Sequence, residues 1–327
     1  MAQQNMRRRY QVDLAARKVM AAADLRTEEL VYQTDAMCLS LLDSSKKRVC
    51  CVCLKANEDD GPFHLFCARC DTVYFCSLDC LTKSQADSAH YLICPAICEI
   101  VKAKIPAMEA SIIKLVLSAL VERARAMDRL LGTTPATASG SSGPVFYFRP
   151  TYTSRAVKDN TQWDTLKRLD SQYNLLDKQQ KMEWQRIKSF VIPFALKTGL
   201  VDDLRDEDAR RDMIFDLLSK IESNCFGICA FTKQSVVGRA LFPLASFFNH
   251  SCAPNCVLEQ KARSVHIRAL KEIFEGEELS LSYIPGVEKM DYTTRTQQLA
   301  QFFISCKCVR CMADSAAAGV EDLSLQP

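Results

Sequence analysis

The chain has 327 residues, 48% of them hydrophobic and 25% charged, with 42 Lys and Arg against 39 Asp and Glu for a net charge of +3. That is enough chain for a sizeable core and for about two domains, and so mild a charge gives no reason to expect nucleic acid as the main partner. No apolar stretch follows the arginines near the N-terminus and no run approaches the roughly 18 residues of a membrane span. The protein is therefore expected inside the cell, cytoplasmic and/or nuclear. The short basic runs Arg7 to Arg9 and Lys46 to Arg48 read as solvated surface. Seventeen cysteines in a reducing compartment point to metal-bound thiolates rather than disulfides.

In chain order, residues 1 to 48 alternate at Tyr10, Val12 and Leu14 and again at Glu29-Leu30-Val31-Tyr32, which predicts a small strand-rich lobe. The next segment is governed by cysteine spacing. Cys50-x2-Cys53, Cys67-x2-Cys70, Cys76-x3-Cys80 and His90-x3-Cys94 supply eight ligands in four pairs, suiting two tetrahedral zinc sites that the protein alone closes. Isolated buried cysteines are more often small core residues, but eight ligands in register, seven cysteines and His90, are not read that way. Cys51 is taken as a bystander. With every coordination position filled, the metals would be structural, and a segment of about 45 residues with little core could fold around them. A cross-braced RING-type finger also fits eight ligands, yet the terminal His-x3-Cys resembles a MYND finger, with somewhat long gaps before Cys67 and His90. That resemblance implies interleaved pairs: Cys50, Cys53, Cys76 and Cys80 on one zinc, and Cys67, Cys70, His90 and Cys94 on the other. It also implies docking of proline-rich peptides.

Beyond Pro106 the pattern turns helical. Met108, Ile112, Val116, Leu120, Ala124, Met127 and Leu131 form one apolar stripe, expected to pack in the core or between domains. Residues 132 to 144 are Gly, Thr, Pro, Ala and Ser and predict a flexible loop. Further helices are expected through Trp163, Leu166, Leu169, Tyr173 and Leu176, then Trp184, Ile187 and Val191 ahead of Pro193, then Ile214, Leu217, Leu218 and Ile221.

The densest chemistry lies at Asn249-His250-Ser251-Cys252-Ala253-Pro254-Asn255-Cys256, which fits neither an amphipathic helix nor an alternating strand. Singly its residues read blandly, Pro254 and Asn255 as a turn and His250 as a satisfied core histidine. Two half-buried strands follow, one through Val265, Ile267 and Ala269 and one through Leu279, Leu281 and Tyr283, separated by a turn at Glu275-Gly276-Glu277. Period-two alternation puts Tyr283 on the buried face, where its hydroxyl needs a partner. Cys306, Cys308 and Cys311 close the series with three thiolates, and Cys252 is the natural fourth for a closed site.

The order NHSCxPN, then Glu-Leu-x-x-x-Tyr, then Cys-x-Cys-x-x-Cys, resembles the SET and post-SET segments of protein lysine methyltransferases. With the finger it resembles the SET and MYND domain-containing members of that family. The resemblance implies an α+β fold, a split SET β-fold interrupted by a zinc-bound MYND finger and a helical insert, with a cysteine-rich post-SET segment. The segments would be 1–48, the N-terminal part of the SET domain; 49–95, the finger; 96–223, the insert; 224–290, the catalytic core; 291–312, the post-SET zinc segment; and 313–327, a tail that leaves out the long helical C-terminal domain of several family members. It implies that Asn249, His250, Asn224 and Gln172 bind S-adenosylmethionine, that Tyr283 is the catalytic tyrosine and Phe226 lines the lysine channel with Phe242. Three zinc ions are implied in all, the third on Cys252, Cys306, Cys308 and Cys311, tying the end of the chain to the Asn-His segment.

Three departures from the family pattern stand out. The usual Gly-x-Gly turn is Ala16-Arg17-Lys18, where a β-carbon would strain backbone of positive φ and weaken cofactor binding. Phe302 stands where a tyrosine is common, which predicts a channel that admits more highly methylated lysine. Ile304 replaces an aromatic that packs on adenine. The reading is an S-adenosylmethionine-dependent protein lysine methyltransferase acting on histone or non-histone proteins; the alternative is a catalytically inactive SET-MYND scaffold docking proline-rich peptides.

Overall fold

The computed structural model describes residues 9–87, 89–130, 161–173, 176–230, 233–300, 302 and 304–317. The expected loop at 132–144, Leu131 and the tail beyond 317 lie outside them. By internal contacts the chain divides into two units, residues 1–34 with 244–327, and residues 35–243.

In the first unit, β1 (Tyr10–Asp13) and β2 (Lys18–Ala21) form an antiparallel hairpin. Its turn is fastened by the Asp13 carboxylate, which accepts the Ala15 and Ala16 amides at 3.0 and 2.9 Å. The strain expected at Ala16 and Lys18 does not arise, because the left-handed residue is the one between them, Arg17 at φ 55. A three-stranded sheet of order β10-β11-β3 joins Cys256–Lys261, Ser264–Ala269 and Leu30–Asp35. In β11 the alternation holds, with Val265, Ile267 and Ala269 buried and the residues between them half-buried. The turn at Gly276 has φ +83, a conformation glycine adopts without cost. The strand expected through Tyr283 ends earlier, at β12 (Ser280–Leu281), which runs parallel to β9 (Asn249–His250). Near the end of the described residues this unit has two helices, α7 (Tyr292–Ala300) and α8 (Val309–Ala317).

In the second unit, β4 (Cys38–Leu41), β8 (Lys233–Leu241) and β7 (Cys225–Ala230) make a sheet in the order β4-β8-β7. Gly238 sits where a β-carbon would meet the Ser40 carbonyl at 2.7 Å, so the close approach of β8 to β4 requires glycine. The cysteine-rich segment contains the short hairpin β5 (Leu65–Phe66) and β6 (Tyr74–Phe75) and helices α1 (Leu78–Asp87) and α2 (His90–Lys102).

The unit's central element is α3 (Ala107–Leu130), packed against α2, α4 (Thr161–Lys167), α5 (Lys178–Lys197), α6 (Glu207–Asn224) and β4. A single apolar stripe does not describe it. Besides Ile112, Val116 and Leu120, the residues Ile113, Leu115, Leu117, Ala119 and Val121 are buried, while Met108 is exposed. A helix covered on all sides buries its polar positions as well. Arg123 accordingly pairs with Asp203, and Lys114, whose ammonium burial pushes below its usual range, lies 3.3 Å from Asp43. The helix expected through Tyr173 ends at Lys167, and Tyr173 instead stacks on Phe215 (4.8 Å, 12°) and Trp184 (5.8 Å, 26°). The helix expected to end before Pro193 continues to Lys197. It starts from an Asp177–Gln180 capping box, and burial of Trp184, Ile187, Val191 and Ala195 offsets the lost backbone hydrogen bond. No helix among the described residues is long and apolar enough to cross a membrane.

Candidate functional site

The first unit gathers Asn249, His250, Cys252 and Tyr283 where β9 meets β12. Two strands of two residues hold little by themselves, and side chains complete them. The buried Asn255 substitutes for a missing strand. Its Nδ2 donates to the Glu278 carbonyl at 2.8 Å and its Oδ1 accepts the Ser280 amide at 2.8 Å, while Ser251 N–H reaches the Leu281 carbonyl at 2.8 Å. Asn249 Nδ2 donates to the Arg17 carbonyl at 3.1 Å and to Glu278 Oε1 at 2.9 Å. Lys18 meets the other Glu278 oxygen at 3.0 Å. The Ala16-Arg17-Lys18 turn is thereby fixed beside the Asn-His pair.

Tyr283 is largely buried, and its hydroxyl finds the partner that alternation demanded, donating to the Phe248 carbonyl at 2.8 Å. Burial pushes its pKa up to about 12, so the phenol keeps its proton at neutral pH. Its backbone amide donates to His250 Nδ1 at 3.0 Å, and the two rings meet at 5.4 Å and 60°. His250 Nε2 lies 3.2 Å from Cys252 Sγ. Burial, and then the positive charge of Arg295, hold the imidazole down to about 4. Phe302 stands edge-on to Tyr283 at 6.4 Å, and Ile304 packs against the buried group of Cys252, Ile284, Val287, Leu299 and Cys311.

Cys252, Cys306, Cys308 and Cys311 bring their sulfurs within 4.8 Å of one another. A tetrahedral zinc with Zn–S near 2.3 Å sets its sulfurs about 3.8 Å apart. The observed Cys252–Cys311 and Cys252–Cys306 separations of 3.4 and 4.0 Å bracket that value, so the donor set fits zinc. Burial works against thiolate at Cys308, but backbone N–H groups at Cys311 and Cys252 bring it down to about 6. Two arginines surround the sulfurs. Arg295, 1% exposed, donates to the Met290 carbonyl, to Cys311 Sγ at 3.8 Å and to Asp314, while Arg310 donates to the carbonyls of Cys252, Val287 and Met290. Composition and periodicity give no signal for Arg295, since α7 reads as a polar surface helix.

In the second unit, Cys50, Cys53, Cys76 and Cys80 form one cluster and Cys67, Cys70, His90 and Cys94 another, with Cys51 in neither. The Cys53–Cys76, Cys76–Cys80 and Cys67–Cys94 separations are 3.4, 3.6 and 3.7 Å, and Cys70 lies 3.9 Å from His90 Nε2, again the edges of a zinc tetrahedron. Of the other sequence-derived residues, Asn224 ends α6 with Nδ2 on the Lys220 carbonyl at 2.9 Å. Phe226 meets the buried Phe242 edge-on at 5.7 Å and 76°. The Gln172 backbone N–H donates to the Ser219 hydroxyl of α6. A cavity in the first unit, lined by Arg9, Asp24, Leu25, Arg26, Glu29 and Phe274 among others, contains none of the expected site residues.

Comparison with known proteins bears on this arrangement. The histone-lysine N-methyltransferases SMYD3 of Mus musculus and Homo sapiens are each 26% identical, over 299 and 301 residues that make up 91% of this chain and 59% of theirs. A SET and MYND domain-containing protein of Dictyostelium discoideum is 25% identical over 81% of this chain and 44% of its own length. The chain thus spans about three-fifths or less of the length of these relatives. A similar solved structure, the SET domain of LSMT bound to lysine and AdoHcy, has a TM-score of 0.36 and 11% identity, covering 86% of this chain and 51% of that one. At that degree of likeness it bears on neither ligand nor mechanism. A SET domain model matches residues 16–284, a span running from the turn that Asn249 fastens to just past Tyr283, and the chain belongs to the SET domain family.

Proposed function

We propose that this chain is an S-adenosylmethionine-dependent protein lysine methyltransferase that acts on histone or non-histone proteins in the cytoplasm and/or nucleus. The observation that carries the reading is the hydrogen bond from Tyr283 Oη to the Phe248 carbonyl. It commits the phenolic proton to the backbone, so the oxygen presents only lone pairs to a substrate. Such an oxygen can accept an N–H from a lysine amine and hold it in line for transfer, but it cannot donate. With its pKa near 12, Tyr283 is not a base at neutral pH either.

S-adenosylmethionine would supply the methyl group from its sulfonium. Asn249, with Nδ2 engaged by the Arg17 carbonyl and Glu278, keeps Oδ1 as an acceptor for the cofactor. Asn224 and Gln172 are proposed on resemblance to contact the cofactor. Phe226 and Phe242 are proposed to line the lysine channel. Deprotonating a lysine of pKa about 10.4 at pH 7 costs about 4 to 5 kcal/mol. An apolar channel that strips water from the ammonium lowers that cost, and alignment by Tyr283 contributes the rest through orientation. The three Cys and Cys/His clusters are proposed to hold structural zinc, closed by protein ligands with no position left for water. The finger, residues 49–95, is proposed to be a MYND module.

The test is methyl transfer from radiolabelled S-adenosylmethionine to histone and cell-extract proteins, with Tyr283→Phe alongside. Label on lysine that the variant does not deposit supports the reading, and mass spectrometry of the product reads methylation number. Phe302, which has no hydroxyl to restrain the amine, leads to an expectation of di- or trimethyl-lysine; monomethyl-lysine alone would contradict it.

A second reading, a non-catalytic scaffold docking proline-rich peptides, is favoured by the exposed apolar side chains Phe66, Leu78, Tyr91 and Leu92 on the cysteine-rich segment. A folded, zinc-loaded chain that takes up proline-rich peptide but no S-adenosylmethionine would select it.

A further inference from the structure

The resemblance assigns His250 to the cofactor, but its side chain is spent elsewhere. A backbone amide can only donate, so the 3.0 Å contact from Tyr283 N–H makes His250 Nδ1 the lone-pair nitrogen. The proton of the neutral ring is then on Nε2, and Nε2 points at Cys252 Sγ at 3.2 Å. Metal-bound thiolates accept such N–H groups, and an outer-shell donor of this kind fixes both the ligand and itself. One imidazole therefore touches two things of consequence, a sulfur of the third cysteine cluster and the backbone of the tyrosine proposed to hold the amine.

We propose that His250 is a positioning residue, an Nε2–H imidazole that transmits the placement of Cys252 to Tyr283 and gives a bound cofactor none of its ring nitrogens. The surroundings agree. The ring lies against Tyr283 at 5.4 Å, and the Tyr283 hydroxyl ends on Phe248, two residues before His250. Arg295 and Arg310 hold Cys311 Sγ and the Cys252 carbonyl. Order in the cluster is thus passed through one side chain to the backbone of Tyr283 rather than to its ring. The importance given to Tyr283 rests on the methyltransferase reading, whereas the tautomer and the link to Cys252 do not.

The test uses the zinc-loaded full chain labelled with nitrogen-15. Long-range proton–nitrogen spectra report which ring nitrogens carry protons, and with 4 histidines in the chain, His250→Asn identifies the signals of interest. The inference requires a protonated Nε2 and a bare Nδ1 at neutral pH. A proton on Nδ1, or on both nitrogens, overturns it.

Two variants separate the two contacts. In His250→Asn the amide oxygen stands near Nδ1 and can still accept from Tyr283, but the donor to Cys252 is gone. In His250→Gln an N–H can reach the position of Nε2. One zinc should leave about tenfold faster to a competing chelator in His250→Asn and close to the wild-type rate in His250→Gln. Equal release from all three proteins overturns the link. None of these readouts needs turnover. An Nε2–H ring in a chain that binds no S-adenosylmethionine would sink the methyltransferase reading and leave this inference standing, and an active enzyme with an Nδ1–H ring would do the reverse.

Discussion

The two cysteine clusters of the finger and the cluster at the end of the chain use the same chemistry to different ends. The finger takes all its ligands from residues 50 to 94, a stretch that carries a small apolar cluster centred on Cys50, Phe75 and Cys80. Metal there substitutes for a core. The third cluster reaches back from Cys306, Cys308 and Cys311 to Cys252, and that cysteine is hydrogen-bonded to His250, which holds Tyr283. Here metal substitutes for a covalent tie between distant segments. A local cluster shapes its own segment, whereas a distributed one sets the geometry of whatever lies beside its remote ligand.

The largest effects are expected when one ligand is removed from each kind of cluster. Cys50→Ser should cost the finger its fold, since structural zinc supplies about 10 kcal/mol or more to such segments. Amide exchange should rise throughout 49–94 while the first unit keeps its protection. Cys252→Ser should remove a single zinc, leave the finger protected, and lower methyl transfer by about 10²-fold through Tyr283. A finger that stays protected without Cys50 would erase the distinction.

Next in size is Arg295→Met, which fits the buried space but leaves Asp314 and Cys311 without their guanidinium. Denaturant unfolding should show a loss of about 3 kcal/mol, the lower end for breaking a buried pair because Asp314 is partly solvated. Smaller again is Tyr283→Phe, which removes the hydrogen bond to Phe248. Stability should fall by about 1 kcal/mol, and steady-state turnover by about 10²-fold with zinc content unchanged. Gly238→Ala acts outside all three clusters by pushing β8 off the Ser40 carbonyl. A loss of about 1 to 3 kcal/mol is expected in thermal melts, with no change in metal stoichiometry. The smallest expected effect is in the pH–rate profile. Because burial raises Tyr283 from 10.0 to about 12, no limb from its ionisation should appear below about pH 10.

What the sequence made legible was whatever depends on spacing along the chain. Cysteine pairs, the alternation in β11 and the need of Tyr283 for a hydroxyl partner are local patterns, and the ligand sets drawn by resemblance are the groups whose sulfurs and His90 nitrogen converge. What escaped depends on tertiary burial. Arg295 lies in a polar helix and is buried because sulfur, Asp314 and a carbonyl enclose it. Asn255 looks like a turn residue, yet it completes a strand by presenting an amide where a peptide would be. Pro193 reads as a helix stop, but the packing of α5 outweighs one lost hydrogen bond. In the turn at Ala16 and Lys18 the left-handed residue is Arg17 between them, a position that no residue type there reveals.

The Asn249 crossing is the proposed binding site for S-adenosylmethionine. Calorimetric titration of the zinc-loaded chain with that cofactor, with Asn249→Ala as the control, tests it most directly. Saturable, single-site binding is expected, lost or much weakened in the variant, because Asn249 fastens the Arg17 turn and offers Oδ1. A folded, zinc-loaded wild type that takes up no cofactor at millimolar concentration, or that binds no better than Asn249→Ala, would contradict it.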